Sequence, residues 1–173
     1  SSEFSCSPKQ KKINLNIMTY NIRFAADQPD VYSWKNRKDG IFQSFQGIDI
    51  AGLQEVMPLQ VDDLNSALSG YDIIYRSRET DSMVGEGVPI LFKKDRFSLL
   101  NSGTFWLSDT PEVPGSNTWD AACNRITTWG RFMEKKSKIE FFVFSTHLDH
   151  ISQNARENGT RLILDTLKIM AAG

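Results

Sequence analysis

Cysteine, histidine and proline are scarce in this chain of 173 residues, which holds 2 Cys, 2 His and 6 Pro. Cys6 and Cys123 alone build neither a disulfide framework nor a thiolate zinc site, so the redox compartment stays open. Runs of Lys and Arg are missing too. The 20 basic residues against 21 acidic ones leave a net charge of −1. That balance argues against broad electrostatic gripping of nucleic acid, although a local basic groove does not show in the sum. No apolar run reaches the length of a bilayer span. The first residues lack the apolar core of a secretory signal. A signal already removed from an exported protein would leave the same appearance, so a soluble chain of open compartment is expected. There is no internal repeat, no low-complexity tract and no phosphate-cradling P-loop. The absence of a G-x-S-x-G elbow weakens a serine-hydrolase reading.

What is present is ordinary globular material. Hydrophobic residues make up 40 % and charged residues 24 %, and the length suits one domain with a core of its own. Residues 1–12 read as a flexible leader or an expression remnant, and 13–173 as the folded portion. Apolar density predicts strands over 14–21 and 48–54. Trp34, Arg37, Lys38, Ile41 and Phe45 recur at helical spacing, which predicts a helix over 33–46 with Ser33 as N-cap and Gly47 at its end. A second helix over 58–68 opens on Pro58. The period then changes to two, predicting strands over 71–76, 88–93, 97–107, 125–134 and 139–146, and a closing helix over 152–172. This order predicts an α/β chain with a mixed sheet system and helices outside.

Three polar residues close apolar strands: Asn21, Glu55 and His147. Ligands of open α/β sheets bind at the carboxyl ends of strands, so the three suggest a convergent site. Each also has a plainer use. Glu55 is either a solvated carboxylate or a hard oxygen ligand for Mg²⁺ or Mn²⁺. His147 is either a hydrogen-bonded core residue or a donor to a phosphate oxygen. Asn21 is either a turn former or an amide that orients phosphate or water. His147 and His150 lack enough further nitrogen or sulfur ligands for zinc.

These residues have recognisable company. Met18-Thr19-Tyr20-Asn21-Ile22-Arg23, Leu53-Gln54-Glu55-Val56 and Ser145-Thr146-His147-Leu148-Asp149-His150 resemble successive motifs of the endonuclease/exonuclease/phosphatase superfamily. Gly85-Glu86-Gly87-Val88-Pro89-Ile90-Leu91-Phe92 matches as well. So does Thr104-Phe105-Trp106-Leu107-Ser108 followed by Trp119-Asp120-Ala121-Ala122-Cys123-Asn124-Arg125, most like a bacterial branch of the superfamily.

The resemblance implies a four-layer α/β/β/α sandwich and Mg²⁺- or Mn²⁺-dependent hydrolysis of a phosphoester by an activated water. It implies that Glu55 and Asn21 hold the metal and that Asn21 also lies near the phosphate as a catalytic group. It implies that His147 stabilises or protonates at the scissile phosphate, and that Glu86 pairs with His147 and raises its pKa. Arg125 would face the phosphate; its plainer use is a structural carboxylate pair. Asp149, His150 and Arg23 would support the site or touch substrate.

The superfamily's later G-D-x-N and S-D-H motifs are absent, so the expectation is the N-terminal portion of a longer domain, incomplete or inactive alone. An exposed apolar sheet face and helix stripe would follow unless a further segment or partner chain covers them. The competing reading is a non-catalytic binding module or assembly fragment on the same scaffold. The charge balance tilts the substrate toward a small phosphoester, a sugar phosphate or a lipid headgroup, with nucleic acid still open.

Overall fold

The computed structural model of the protein describes residues 12–25 and 31–172. Cys6 and the leader up to residue 11 lie outside the described residues. Ten elements follow in order: β1 (Ile17–Asn21), α1 (Trp34–Gln43), β2 (Ile50–Gln54), α2 (Pro58–Ala67), β3 (Tyr71–Ile74), β4 (Ile90–Lys93), β5 (Phe97–Trp106), β6 (Ile126–Glu134), β7 (Glu140–Thr146) and α3 (Gln153–Ala172). They build two sheets, ordered β1-β2-β4-β3 and β5-β6-β7. In the first sheet β1 and β2 are parallel, while β4 runs antiparallel to both β2 and β3. The second sheet is antiparallel throughout.

β2 shows why its sequence is a near-continuous apolar run. It is covered on both faces, as strands inside layered α/β folds are. Ala51 and Leu53 pack under the helices with Trp34, Ile41 and Phe45 from the α1 region and Leu64 from α2. Ile50 turns the other way, toward Ile90, Phe92, Phe97 and Phe132 between the sheets. That inter-sheet layer is aromatic. The Phe92 and Phe132 rings meet edge to face at 4.9 Å between centroids, an arrangement favoured by the ring quadrupoles. The sheets approach closely where Gly52 faces Ser145. A Cβ at position 52 would lie 2.9 Å from Ser145 Oγ.

The elements are shorter than the apolar runs suggest, for identifiable reasons. Residues 14–16 precede the β1 ladder; at Asn16 the carbonyl accepts the Asp49 N–H at 2.8 Å, while the N–H is taken by Asp49 Oδ2 at 2.9 Å. α1 ends at Gln43, and the chain winds on through i→i+3 bonds at Phe45 and Gln46 until Gly47 turns it at φ +79°. Ser33 precedes α1 as expected, but its side chain makes no capping hydrogen bond. Instead, Trp34 Nε1 donates to Asp63 Oδ2 at 2.7 Å and ties α1 to α2.

The α/β class and the two packed sheets match the expected sandwich. The last helix is held through its first half. Ser152 Oγ accepts the Ala155 N–H at 3.0 Å, and Ala155 and Gly159 are buried. A Cβ at Gly159 would meet Leu107 Cδ1 at 3.1 Å. Further along, Leu164 is 50 % exposed and Ile169 is 75 % exposed. Half-exposed Trp129, Phe142 and Phe144 share the outer face of the second sheet, since Trp129 opposes Phe144 across the ladder. Among the described residues, no helix is long and apolar enough to cross a membrane.

Candidate active site

The parallel register of β1 and β2 brings the first two strand-end residues together. Asn21 sits opposite Gln54, so its side chain reaches the residue that follows. Asn21 Nδ2 donates to Glu55 Oε1 at 2.7 Å, and its Oδ1 accepts the Arg23 N–H at 2.9 Å. The other Glu55 oxygen accepts the Phe24 N–H at 3.3 Å. Glu55 itself sits at φ +61°, and Arg23 at φ +56°. This left-handed backbone costs roughly 1–2 kcal/mol for a residue with a Cβ, so the surroundings must hold it.

They do so through two anchors, the buried Gln60 and the partly exposed Arg37. Gln60, fully buried in α2, accepts the Met57 N–H at 2.9 Å and the Ala25 N–H at 3.2 Å, and donates to the Arg23 carbonyl at 3.0 Å. Arg37 from α1 donates to the carbonyls of Ile22 and Arg23. Neither residue is singled out by sequence pattern. Gln60 stands where a capping box carries Gln, but Met57 in place of Ser or Thr hides it.

Glu86 is placed by its flanking glycines. Gly85 turns at φ +77°. Gly87 bridges both Val56 and Ser77, and a Cβ there would lie 2.4 Å from the Tyr75 ring. The structure puts Glu86 in an ion pair with Arg78, whose Nη1 lies 2.9 Å from Oε2. Among the described residues no hydrogen bond joins Glu86 to His147. The expected effect on His147 is also reversed. Burial lowers its pKa below the usual imidazole value, the Arg125 and Arg78 charges lower it further, and Glu55 opposes them. Burial likewise raises the Glu86 carboxyl, against the Arg78 charge.

Arg125, which precedes β6, is buried beside Asp149. Its Nε lies 3.4 Å from Asp149 Oδ2, and its Nη2 donates to His150 Nδ1 at 3.0 Å. Asp149 has every oxygen engaged. The Ala122 N–H reaches Oδ2 at 3.0 Å, and the Ile151 and Ser152 N–H groups reach Oδ1 at 3.0 and 2.8 Å. Burial would raise this carboxyl, but those three N–H groups and Arg125 outweigh it and bring its pKa to about 2. Cys123 Sγ approaches Asp149 and His150 within 4.8 Å. The occupied carboxylate and the adjacent guanidinium leave this trio poorly suited to a cation.

Phe24, Glu55, Arg78, Glu86, Cys123, Arg125, His147 and His150 together line one open cleft of ≈ 280 Å³. The structure thus gathers Glu55, Glu86, Arg125, His147 and His150 around one space. Asn21 and Asp149 act on it from behind, through Glu55 and Arg125. Arg23 does not line the cleft: its N–H holds Asn21 and its guanidinium lies over the Tyr32 ring. Among the charged cleft residues Arg78 is the one that sequence reading misses, because it stands in an irregular charged stretch with no periodic signal; Phe24 and Cys123 are missed as well. For a metal, the donors available are the two Glu55 oxygens and Asn21 Oδ1, each with a lone pair beyond its single hydrogen bond, and the Glu86 oxygen that Arg78 leaves free in the same cleft. That hard, carboxylate-poor set fits Mg²⁺ or Mn²⁺, which keep several waters and substrate oxygens.

No family model matches the chain. Among solved structures, an endonuclease/exonuclease/phosphatase from Bacteroides vulgatus superposes with a TM-score of 0.90 at 36 % identity, covering 92 % of this chain and 62 % of that one. A mannosyl-6-phosphatase from Bacteroides thetaiotaomicron superposes at 0.88, also with 36 % identity, covering 92 % and 61 %. An uncharacterised protein of Acanthamoeba polyphaga mimivirus is 27 % identical over 156 residues, covering 86 % of this chain and 57 % of that protein. The chain therefore spans about three fifths of the length of the proteins it matches.

Proposed function

Because the chain has the endonuclease/exonuclease/phosphatase fold and resembles the N-terminal part of such proteins, we propose that it carries the phosphate-binding portion of a divalent-metal-dependent phosphoester hydrolase. The observation that carries this reading is the convergence of Glu55, Glu86, Arg125 and His147 on one cleft from separate stretches of sequence. Glu55, oriented by Asn21, would hold Mg²⁺ or Mn²⁺. The ion would supply charge relief on the phosphate oxygens and polarise water.

The chain's own groups do the rest. His147, neutral at pH 7 because burial lowers its pKa, donates one ring N–H to a nonbridging oxygen or exchanges a proton at the scissile phosphate. Arg125, aligned by Asp149, adds a fixed donor where charge develops, so solvent need not reorganise. The cleft of ≈ 280 Å³ suits a small phosphoester better than a long polymer, and the likeness to a mannosyl-6-phosphatase supports a sugar phosphate.

The test is hydrolysis of an aryl phosphomonoester and an aryl phosphodiester with Mg²⁺, with Mn²⁺ and with a chelator, beside Glu55→Ala. Turnover that needs metal and Glu55 is the expected result for the full-length domain, with weak or no turnover from these 173 residues alone. Metal-independent turnover, or full activity in Glu55→Ala, would contradict the mechanism.

A further inference from the structure

Resting on the phosphoester-hydrolase reading, we propose that Arg78 is a specificity-determining residue: with Arg125 it forms a two-guanidinium clamp that selects phosphate monoesters over diesters. Arg78 and Arg125 line the same cleft, together with Glu55 and His147. Each is anchored by acidic or imidazole partners on two of its nitrogens. Arg78 Nε and Nη1 engage Glu79 Oε1 at 3.4 Å and Glu86 Oε2 at 2.9 Å. Arg125 Nε and Nη2 engage Asp149 and His150. The third nitrogen of each, Nη2 of Arg78 and Nη1 of Arg125, has no hydrogen-bond partner among the described residues. Neither belongs to the buried polar atoms left unpaired.

The backbone fixes Arg78 as firmly as its side chain. Its N–H donates to the Glu86 carbonyl at 2.9 Å, and its carbonyl accepts Trp106 Nε1 at 2.7 Å. Glu79 is held in turn by Asn124 Nδ2 at 2.9 Å. Arg78 is therefore fastened to β5 and to the loop that leads into Arg125. A guanidinium fixed this way reads the position of an oxygen. Its carboxylate partners already offset its charge, so it adds little long-range attraction.

The phosphate supplies the selection. Near neutral pH a monoester carries close to two negative charges and three terminal oxygens. A diester carries one charge and two such oxygens. One guanidinium with His147 serves two oxygens, and a second guanidinium finds its partner only on the third. In a diester that position bears an ester substituent, which leaves the Arg78 donor facing a poor acceptor.

The experiment compares the protein with Arg78→Gln, Arg78→Lys and His147→Gln variants, each checked for native circular dichroism. Hydrolysis of p-nitrophenyl phosphate and of its bis-ester is measured with Mn²⁺, and binding of inorganic phosphate by calorimetry. Arg78→Gln is expected to lower monoester kcat/KM by about 10- to 100-fold, the range for loss of a charged hydrogen bond. The diester rate should change by less than about 3-fold on the same argument. Phosphate binding should weaken in parallel, and Arg78→Lys should recover part of both. Equal losses on the two esters would assign Arg78 a structural role and overturn the clamp. Unchanged phosphate affinity in Arg78→Gln would overturn it as well, even without turnover. If His147→Gln abolishes hydrolysis while Arg78→Gln leaves the ester ratio unchanged, the clamp fails and the hydrolase reading stands. Wild-type protein that neither hydrolyses an ester nor binds phosphate defeats both.

Discussion

Asn21 and Glu55 lie 34 residues apart and meet through a hydrogen bond of 2.7 Å. Parallel pairing of β1 with β2 makes the contact unavoidable, since Asn21 is level with Gln54. The amide orients the carboxylate by donating to one oxygen, the Phe24 N–H holds the other, and each oxygen keeps a lone pair for the proposed cation. Partners of this kind behind a metal ligand are typically worth about 10- to 100-fold in metal affinity. Asn21→Ala should therefore weaken Mn²⁺ binding by about that factor with the fold intact. Titration calorimetry or Mn²⁺ resonance would show it, and unchanged affinity would remove Asn21 from the metal's support.

Glu55 pays for its position with a left-handed backbone at φ +61°. Relieving that strain and removing the carboxylate are separable. Glu55→Gly should be more stable than Glu55→Ala by about 1 kcal/mol, because glycine adopts this conformation freely. Both variants should lose metal binding. Thermal unfolding of the pair decides the point, and equal midpoints would mean that the backbone relaxes elsewhere.

Asp149 ties stability to pH. Its pKa is about 2 in the folded chain against an ordinary value of 3.8. A carboxyl lowered in this way stabilises the fold above its unfolded value and stops doing so as pH falls through the folded one. About 2 kcal/mol should be lost between about pH 5 and pH 2. Asp149→Asn should remove that slope. It should also destabilise the protein by about 3 kcal/mol at neutral pH, by leaving the buried Arg125 guanidinium without its counter-ion. Urea unfolding across the pH range measures both effects.

His147 is neutral near pH 7, and the charge of Arg125 helps to keep it so. Arg125→Gln should move the His147 titration upward. The linkage has the opposite sense to a salt-bridged histidine. The unfolded ring binds a proton more readily than the folded one, so stability falls as pH drops below about 6.5. With 2 histidines in the chain, a proton–nitrogen spectrum follows each ring separately. A His147 that titrates above the ordinary imidazole value would exclude the neutral donor role.

Much of the site is legible along the chain because strand ends are legible. Asn21, Glu55 and His147 each follow a dense apolar run, and such runs announce buried strands whatever their partners. Gly85 and Gly87 likewise frame Glu86 for a local reason, a positive φ and a backbone contact too tight for a Cβ. Arg78 and Gln60 carry no such mark. One sits in an irregular loop, and the other looks like any polar residue in the first turn of a helix.

Element order, the strand-end polar residues and the apolar faces are local properties of the chain, because periodicity and turn chemistry act over a few residues. Which charges meet depends on the fold. Glu86 went to Arg78, and Arg125 went to Asp149 and His150. Burial then lowered the pKa of His147 and raised that of Glu86. Such pairings depend on how two sheets and their loops close over one another. Distance and desolvation set their strength, and neither is written in the spacing of residues along a chain.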